Sequence, residues 1–298
     1  MTWLRTAVLT SVAMVAFAGN SLLCRAALRH TTIDAASFTS LRLVSGALML
    51  ALLVGWRSRS APAAAAPGRL AGDWLSAAAL FAYAASFSFA YVQLSAATGA
   101  LLLFGAVQAT MIGWGLSRGE RLRPLQWLGL TTAVTGLVVL LLPGLTAPPW
   151  ASAALMALSG LAWGVYSLRG RASAAAGATG PRADATAVTS GNFLRAAPMA
   201  LLLSALLWPL ARWDAAGALL SLASGALASG LGYAVWYTAL RGLNATCAAI
   251  VQLSVPAIAA GGAVLLLGEP LTARLALTSV AVLGGVARVI VGRPGARG

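Results

Sequence analysis

Apolar stretches long enough to cross a bilayer recur along almost the whole chain, ten in all, separated by short connections that carry Arg, Pro or Gly. A hydrocarbon core of about 30 Å needs roughly 20 mostly apolar residues in helical form. The expected spans are 5–28, 34–56, 72–94, 98–117, 124–143, 150–169, 187–210, 215–240, 245–267 and 272–292. The longest connections, 57–71 and 170–186, are rich in Ala with Pro or Gly and read as mobile surface loops.

Hydrophobic residues make up 60% of the chain and charged ones 9%, whereas a soluble domain carries about 25% charged residues. A soluble fold is excluded. All 20 basic residues are Arg, gathered mainly at the ends of the apolar runs, so the net charge of +14 reports membrane topology. It does not indicate nucleic-acid binding, because no connection is long enough to build a basic water-exposed face. With the N-terminus inside, fourteen Arg residues fall on the cytoplasmic side and only Arg25, Arg29, Arg212 and Arg274 outside. That bias predicts cytoplasmic N- and C-termini.

The first segment has a signal-like Ala16-Phe17-Ala18 before Gly19. Its apolar run continues through Leu22 and Leu23, so it is read as a span. Cys24 and Cys247 lie in apolar segments of different halves and suggest neither a disulfide framework nor a metal site.

An internal repeat organises the ten spans. Ala16-Phe17-Ala18-Gly19-Asn20-Ser21 lines up with Ala162-Trp163-Gly164-Val165-Tyr166-Ser167, and Gly119-Glu120-Arg121-Leu122 with Gly268-Glu269-Pro270-Leu271. The halves are 1–145 and 146–298, five spans each. Five is odd, so two copies enter the membrane from opposite sides, the inverted arrangement that allows a carrier to alternate its openings. The expected fold is an all-α integral membrane protein whose two inverted five-helix repeats surround a central cavity.

These residues resemble the drug/metabolite transporter superfamily in its ten-helix form with two EamA-type repeats. The resemblance spans nearly the whole chain and is most specific at Gln252-Leu253-Ser254-Val255-Pro256 and Leu267-Gly268-Glu269-Pro270-Leu271. It implies a bacterial inner-membrane exporter of small metabolites, with amino acids, including aromatic ones, as the expected substrates. Val107-Gln108 stands where the second half has Val255-Pro256, a departure that sets the fourth span apart from the ninth.

Helical spacing nominates the cavity lining. Tyr83, Phe87 and Tyr91 share one face, as do Phe104 and Gln108, Trp163 and Tyr166, and Tyr233, Trp236 and Tyr237. A lipid-facing amide is costly, so Asn20, Gln108, Asn192 and Gln252 are expected to point inward. Amides bonding helix to helix satisfy the same cost as amides gripping a substrate. Arg42 and Arg195 occupy similar depths in the second and seventh spans. Such a guanidinium attracts a carboxylate, or else bonds backbone carbonyls near a helix end. The substrate-binding set is Asn20, Arg42, Tyr83, Phe87, Phe104, Gln108, Trp163, Tyr166, Asn192, Trp236, Tyr237 and Gln252, with Pro256 as hinge. Ser221, Gly225 and Ser229 are read as close helix packing, and Glu120 and Glu269 as caps of the helices that follow them.

All six acidic residues and His30 fall in connections or at span ends. Without a mid-membrane proton carrier, flux is expected to follow the substrate gradient. No catalytic residue, metal or cofactor is expected, and the partners are a small-molecule substrate and the lipid bilayer. A monomer is plausible on sequence grounds. The alternatives are a carrier for nucleobases, sugars or other metabolites, an intramembrane enzyme, and a non-transporting scaffold.

Overall fold

Every regular element among the described residues is a helix; the computed structural model describes residues 3–59, 71–119, 121–142, 147–176, 185–243 and 245–291. The first half supplies α1 (Trp3–His30), α2 (Ala35–Arg59), α3 (Trp74–Tyr91), α4 (Ala96–Ser117) and α5 (Pro124–Leu141). The second half supplies α6 (Trp150–Ala176), α7 (Ala185–Leu206), α8 (Ala215–Ala223), α9 (Gly232–Ala239), α10 (Ala245–Gln252), α11 (Ser254–Leu267) and α12 (Ala273–Val291). A π-helical segment, Ser224–Leu231, joins α8 to α9 as one span. The ninth span is broken at Leu253 into α10 and α11.

Among the described residues, nine of these spans are long and apolar enough to cross a membrane. The tenth, α7, is long enough at 22 residues, but Asn192, Arg195 and Pro198 dilute its apolar character. Burial is arranged for lipid: Asn20, Arg42, Ser88, Gln108 and Asn192 are buried, while Leu52, Leu202, Leu265 and Leu277 are exposed. Hydrocarbon cannot bond polar groups, so they gather inside and the apolar side chains face out.

Local chemistry sets the helix ends. Asp73 and Ser95 accept the backbone N–H groups of Ser76 and Thr98 at the starts of α3 and α4, and Asp214 accepts that of Gly217 in α8. At the end of α11, Gly268 takes a left-handed φ of 61°, which lets Glu269 N–H reach back to Ala263 O.

α5 and α12 run antiparallel. Gln126 Nε2 donates to Val289 O at 2.8 Å near one end of the pair, and Arg274 Nε donates to Val139 O at 3.0 Å near the other. The connections entering these two helices therefore lie at opposite ends of the molecule. Exchanging the halves also preserves the packing: α6 lies against α3 and α4, as α1 lies against the eighth span and α11, while α2 meets α7 and α5 meets α12. Glu120, expected to cap α5, lies outside the described residues; α5 instead begins with Gln126 Oε1 accepting Arg123 N–H.

The small-residue stripe of the eighth span is the closest helix contact at the centre. A Cβ added at Gly225 would strike Arg42 O and Ser45 Oγ of α2, so the backbones approach as the spacing predicts. The π-helical turn departs from that spacing. Residues five apart in an α-helix point about 140° away from each other, yet here Ser224 bonds Asn20 of α1 and Ser229 receives Arg42 of α2. Hydrogen bonds that close every fifth residue turn both serines toward the first two helices.

Candidate functional site

A cavity lies between α1, α3, α4, α6 and the eighth span, enclosing about 350 Å³ of space free of atoms, part of it continuous with the outside. Its lining is Phe17, Asn20 and Ser21 from α1, Tyr83 and Phe87 from α3, Leu103 and Phe104 from α4, Trp163 from α6, and Ala228 and Tyr233 from the eighth span. Five of the expected residues, Asn20, Tyr83, Phe87, Phe104 and Trp163, meet there.

The rings form a continuous wall. Trp163 packs against Tyr83 at 4.9 Å, Tyr233 at 5.2 Å and Tyr166 at 5.4 Å between centroids, and Phe17 meets Tyr233 edge-on at 5.7 Å. Such offset and edge contacts add stabilisation beyond the area they bury. The wall is a rigid apolar surface suited to a flat solute.

Behind it lies a buried polar chain. Arg42, 1% exposed, stands over the rings of Tyr83 and Phe87 at 5.0 and 4.9 Å. Its Nη2 donates to Tyr83 Oη at 2.8 Å and its Nε to Ser229 Oγ at 3.4 Å. Asn20 Nδ2 donates to the same Tyr83 oxygen at 3.2 Å, and Ser224 Oγ donates to Asn20 Oδ1 at 2.5 Å. Arg42 is thus one side chain behind the lining, not in it. Its Nη1 has no partner among the described residues.

Several expected contacts are corrected. Gln108 is buried one turn beyond Phe104 but is not part of the lining. Trp236 backs Phe17 at 5.9 Å, and Tyr166 and Tyr237 lie behind Trp163, so these three support the wall without forming it. Asn192 accepts Asp73 N–H at 3.0 Å and donates to Tyr166 Oη at 3.4 Å, which ties α7 to the entry of α3. Gln252 satisfies its amide on Ala248 O of its own helix, which removes the need for a partner across the bundle. Arg195 bonds Ala71 O and Gly191 O at the end of the bundle, unlike its counterpart Arg42. Pro256 sits in the first turn of α11, where its missing N–H costs nothing, and the chain breaks just before it, at Leu253. α4, with Gln108 in that place, is one unbroken helix.

Two ionic clusters lie at opposite ends of α3, about 27 Å apart by helical rise. At one end Arg25 Nε meets Glu269 Oε1 at 2.8 Å, Arg25 Nη1 donates to Tyr91 O and Val92 O, and Glu269 Oε2 accepts Ala96 N–H. Glu269 therefore caps α4, a helix 173 residues away in sequence, and not the helix after it. Arg25, counted on the outer side in the Arg bias, is buried within α1. At the other end Arg169 Nη2 meets Asp73 Oδ1 at 2.9 Å. Partial burial pushes the Asp73 carboxyl up, but hydrogen bonds from Ser76 and the Arg169 guanidinium outweigh it and hold it below the ordinary value.

Sequence reasoning passed over Phe17, Ser21, Leu103 and Ala228, and it nominated Tyr233 for the lining while leaving it out of the substrate-binding set. Phe17 and Ser21 flank Asn20 in the repeated segment, and Tyr233 shares a face with Trp236 and Tyr237. The signal was present for these three.

Comparison with known proteins adds the lineage. The profile of the EamA-like transporter family matches residues 150–291. A Pseudomonas aeruginosa relative, "Uncharacterized protein PA1977", is 58% identical over 291 residues, covering 98% of this chain and 96% of that one. A solved crystal structure superposes with a TM-score of 0.66 over 97% of this chain and 99% of its own, and at 18% identity that likeness concerns the fold.

Proposed function

Because the chain belongs to the EamA-like transporter family and is a membrane transporter of small molecules, we propose that it is an alternating-access exporter of ring-bearing metabolites in a bacterial inner membrane. Ring-bearing acids are the expected class, aromatic amino acids and their relatives among them. The observation that carries this reading is the ring-walled cavity, with an ionic cluster at each end of α3. A flat solute stacks on Trp163 and Tyr83 while Asn20 reaches its polar group. Nucleobases fit the same wall, and sugars fit it poorly because they lack an apolar face of that size.

The halves 1–145 and 146–298 are read as inverted repeats, which the antiparallel α5 and α12 support. Both termini are placed in the cytoplasm by the Arg bias. Pro256 and the break at Leu253 form the hinge, so the ninth span bends where the fourth stays rigid. Flux follows the substrate gradient.

Efflux from proteoliposomes loaded with amino acids or nucleobases tests the reading. Ring-bearing solutes are expected to leave faster than from empty liposomes. Trp163→Ala is expected to slow them several-fold, and Gln108→Ala, one turn beyond the lining, much less. Equal leakage with and without protein, or unchanged flux in Trp163→Ala, contradicts it. Strong uphill uptake driven by a pH gradient alone would contradict gradient-driven flux.

A further inference from the structure

Arg42 is a formal positive charge buried at the centre of the bundle, with no carboxylate beside it among the described residues. The described acids are engaged elsewhere: Asp34 bonds the start of α2, Asp214 caps α8, Asp73 pairs with Arg169, and Glu269 pairs with Arg25. A lone cation at such depth is costly, and the faces of Tyr83 and Phe87 compensate it in part. One guanidinium nitrogen, Nη1, remains unpaired.

The chain leading from Arg42 to the cavity begins at a group that can only donate. A phenolic oxygen accepts two hydrogen bonds and donates one. Tyr83 Oη already accepts from Arg42 Nη2 and from Asn20 Nδ2, so its own proton is directed away from both. In this arrangement Asn20 Oδ1 accepts from Ser224. Tyr233 also lines the cavity. With these bonds Tyr83 Oη meets a solute as a donor, backed by a positive charge.

We propose, resting on the exporter reading, that the cavity selects monoanionic aromatic acids over zwitterionic, cationic or neutral molecules carrying the same ring. An anion accepts the phenolic proton and neutralises the buried Arg42. An ammonium group finds ring faces but no carboxylate, and it meets the Arg42 charge in a medium where like charges repel strongly. The amino group of an amino acid is thus a liability in this site.

The test compares 3-phenylpropanoate, phenylalanine, 2-phenylethylamine and 2-phenylethanol, one ring in four charge states, by equilibrium dialysis against the full-length protein in lipid nanodiscs. The acid is expected to bind about tenfold or more tightly than the other three, the margin of a hydrogen bond to a charged group. Tyr83→Phe, which keeps the ring and removes the donor, and Arg42→Gln, which removes the charge, are each expected to collapse the ratio of acid to alcohol affinity. Arg42→Lys is expected to keep part of it. A merely structural Arg42 would weaken all four ligands alike, and that result overturns the proposal, as does phenylalanine binding as tightly as the acid. If the amine or zwitterion wins, the substrate class falls and the exporter stands. If none of the four binds and no solute moves in the liposome assay, both fall.

Discussion

The two ionic clusters at the ends of α3 use the same pair of groups and hold the bundle with different firmness. The Arg25–Glu269 pair is almost dry, with side chains 9% and 13% exposed, whereas Arg169 and Asp73 are 37% and 42% exposed. Burial alone would make the first pair costly. Further contacts offset that cost: two carbonyls take Arg25 Nη1, and Glu269 Oε2 takes an otherwise orphaned N–H at the start of α4. The second pair is screened by solvent and contributes little. The difference teaches which end of the cavity separates at lower cost, namely the one at Asp73, placed on the cytoplasmic side by the proposed topology.

The largest effect is expected from Glu269→Ala. It strands Arg25 in a dry site, and removal of one partner from such a pair costs about 3–5 kcal/mol, read as a lowered unfolding midpoint in detergent. A loss as small as that of any Asp73 variant would erase the contrast between the ends. Asn192→Ala comes next. It leaves Asp73 N–H and Tyr166 Oη without their partner and is expected to cost about 1 kcal/mol in the same melt. The smallest effect belongs to Asp73→Asn, at most about 1 kcal/mol, since Asn still caps α3.

The same residue carries a pH signature. The folded Asp73 carboxyl titrates below its ordinary value, so its contribution is present above that value, near pH 4, and is lost as pH falls through the lowered one. Melts of the unaltered protein and of Asp73→Asn are expected to differ near neutrality and to converge in acid. A gap that widens on acidification would reverse the assigned sign.

Much of this was legible in the chain itself, and the pattern of what was not is physical. The spans follow from apolar length, because lipid imposes one rule on every segment, and α7 is the weakest case because Asn192, Arg195 and Pro198 fall within it. Tyr83, Phe87, Phe104 and Trp163 were found by helical spacing, which holds wherever the helix is regular. Spacing failed at Ser224–Leu231, where the π-helical turn brings Ser224 and Ser229 onto a side that 3.6 residues per turn would not. It also could not separate Arg42 from Arg195. Their depths match, and only the position of neighbouring carbonyls decides that Arg195 bonds Ala71 and Gly191 while Arg42 turns to Tyr83. The partner of Glu269 was hidden for a similar reason, since capping is normally local and here links residues 173 positions apart.

The central claim is that one ring-lined chamber is reached by solute from alternate sides of the membrane. The direct measurement is thiol labelling of Ala228→Cys, a lining position, in protein whose Cys24 and Cys247 are replaced, using a membrane-impermeant reagent applied to each face of oriented vesicles. The account predicts labelling from either face in turn, with protection by a transported aromatic solute and easier access from the Asp73 end. Labelling from one face only under all conditions, or labelling indifferent to solute, would contradict it.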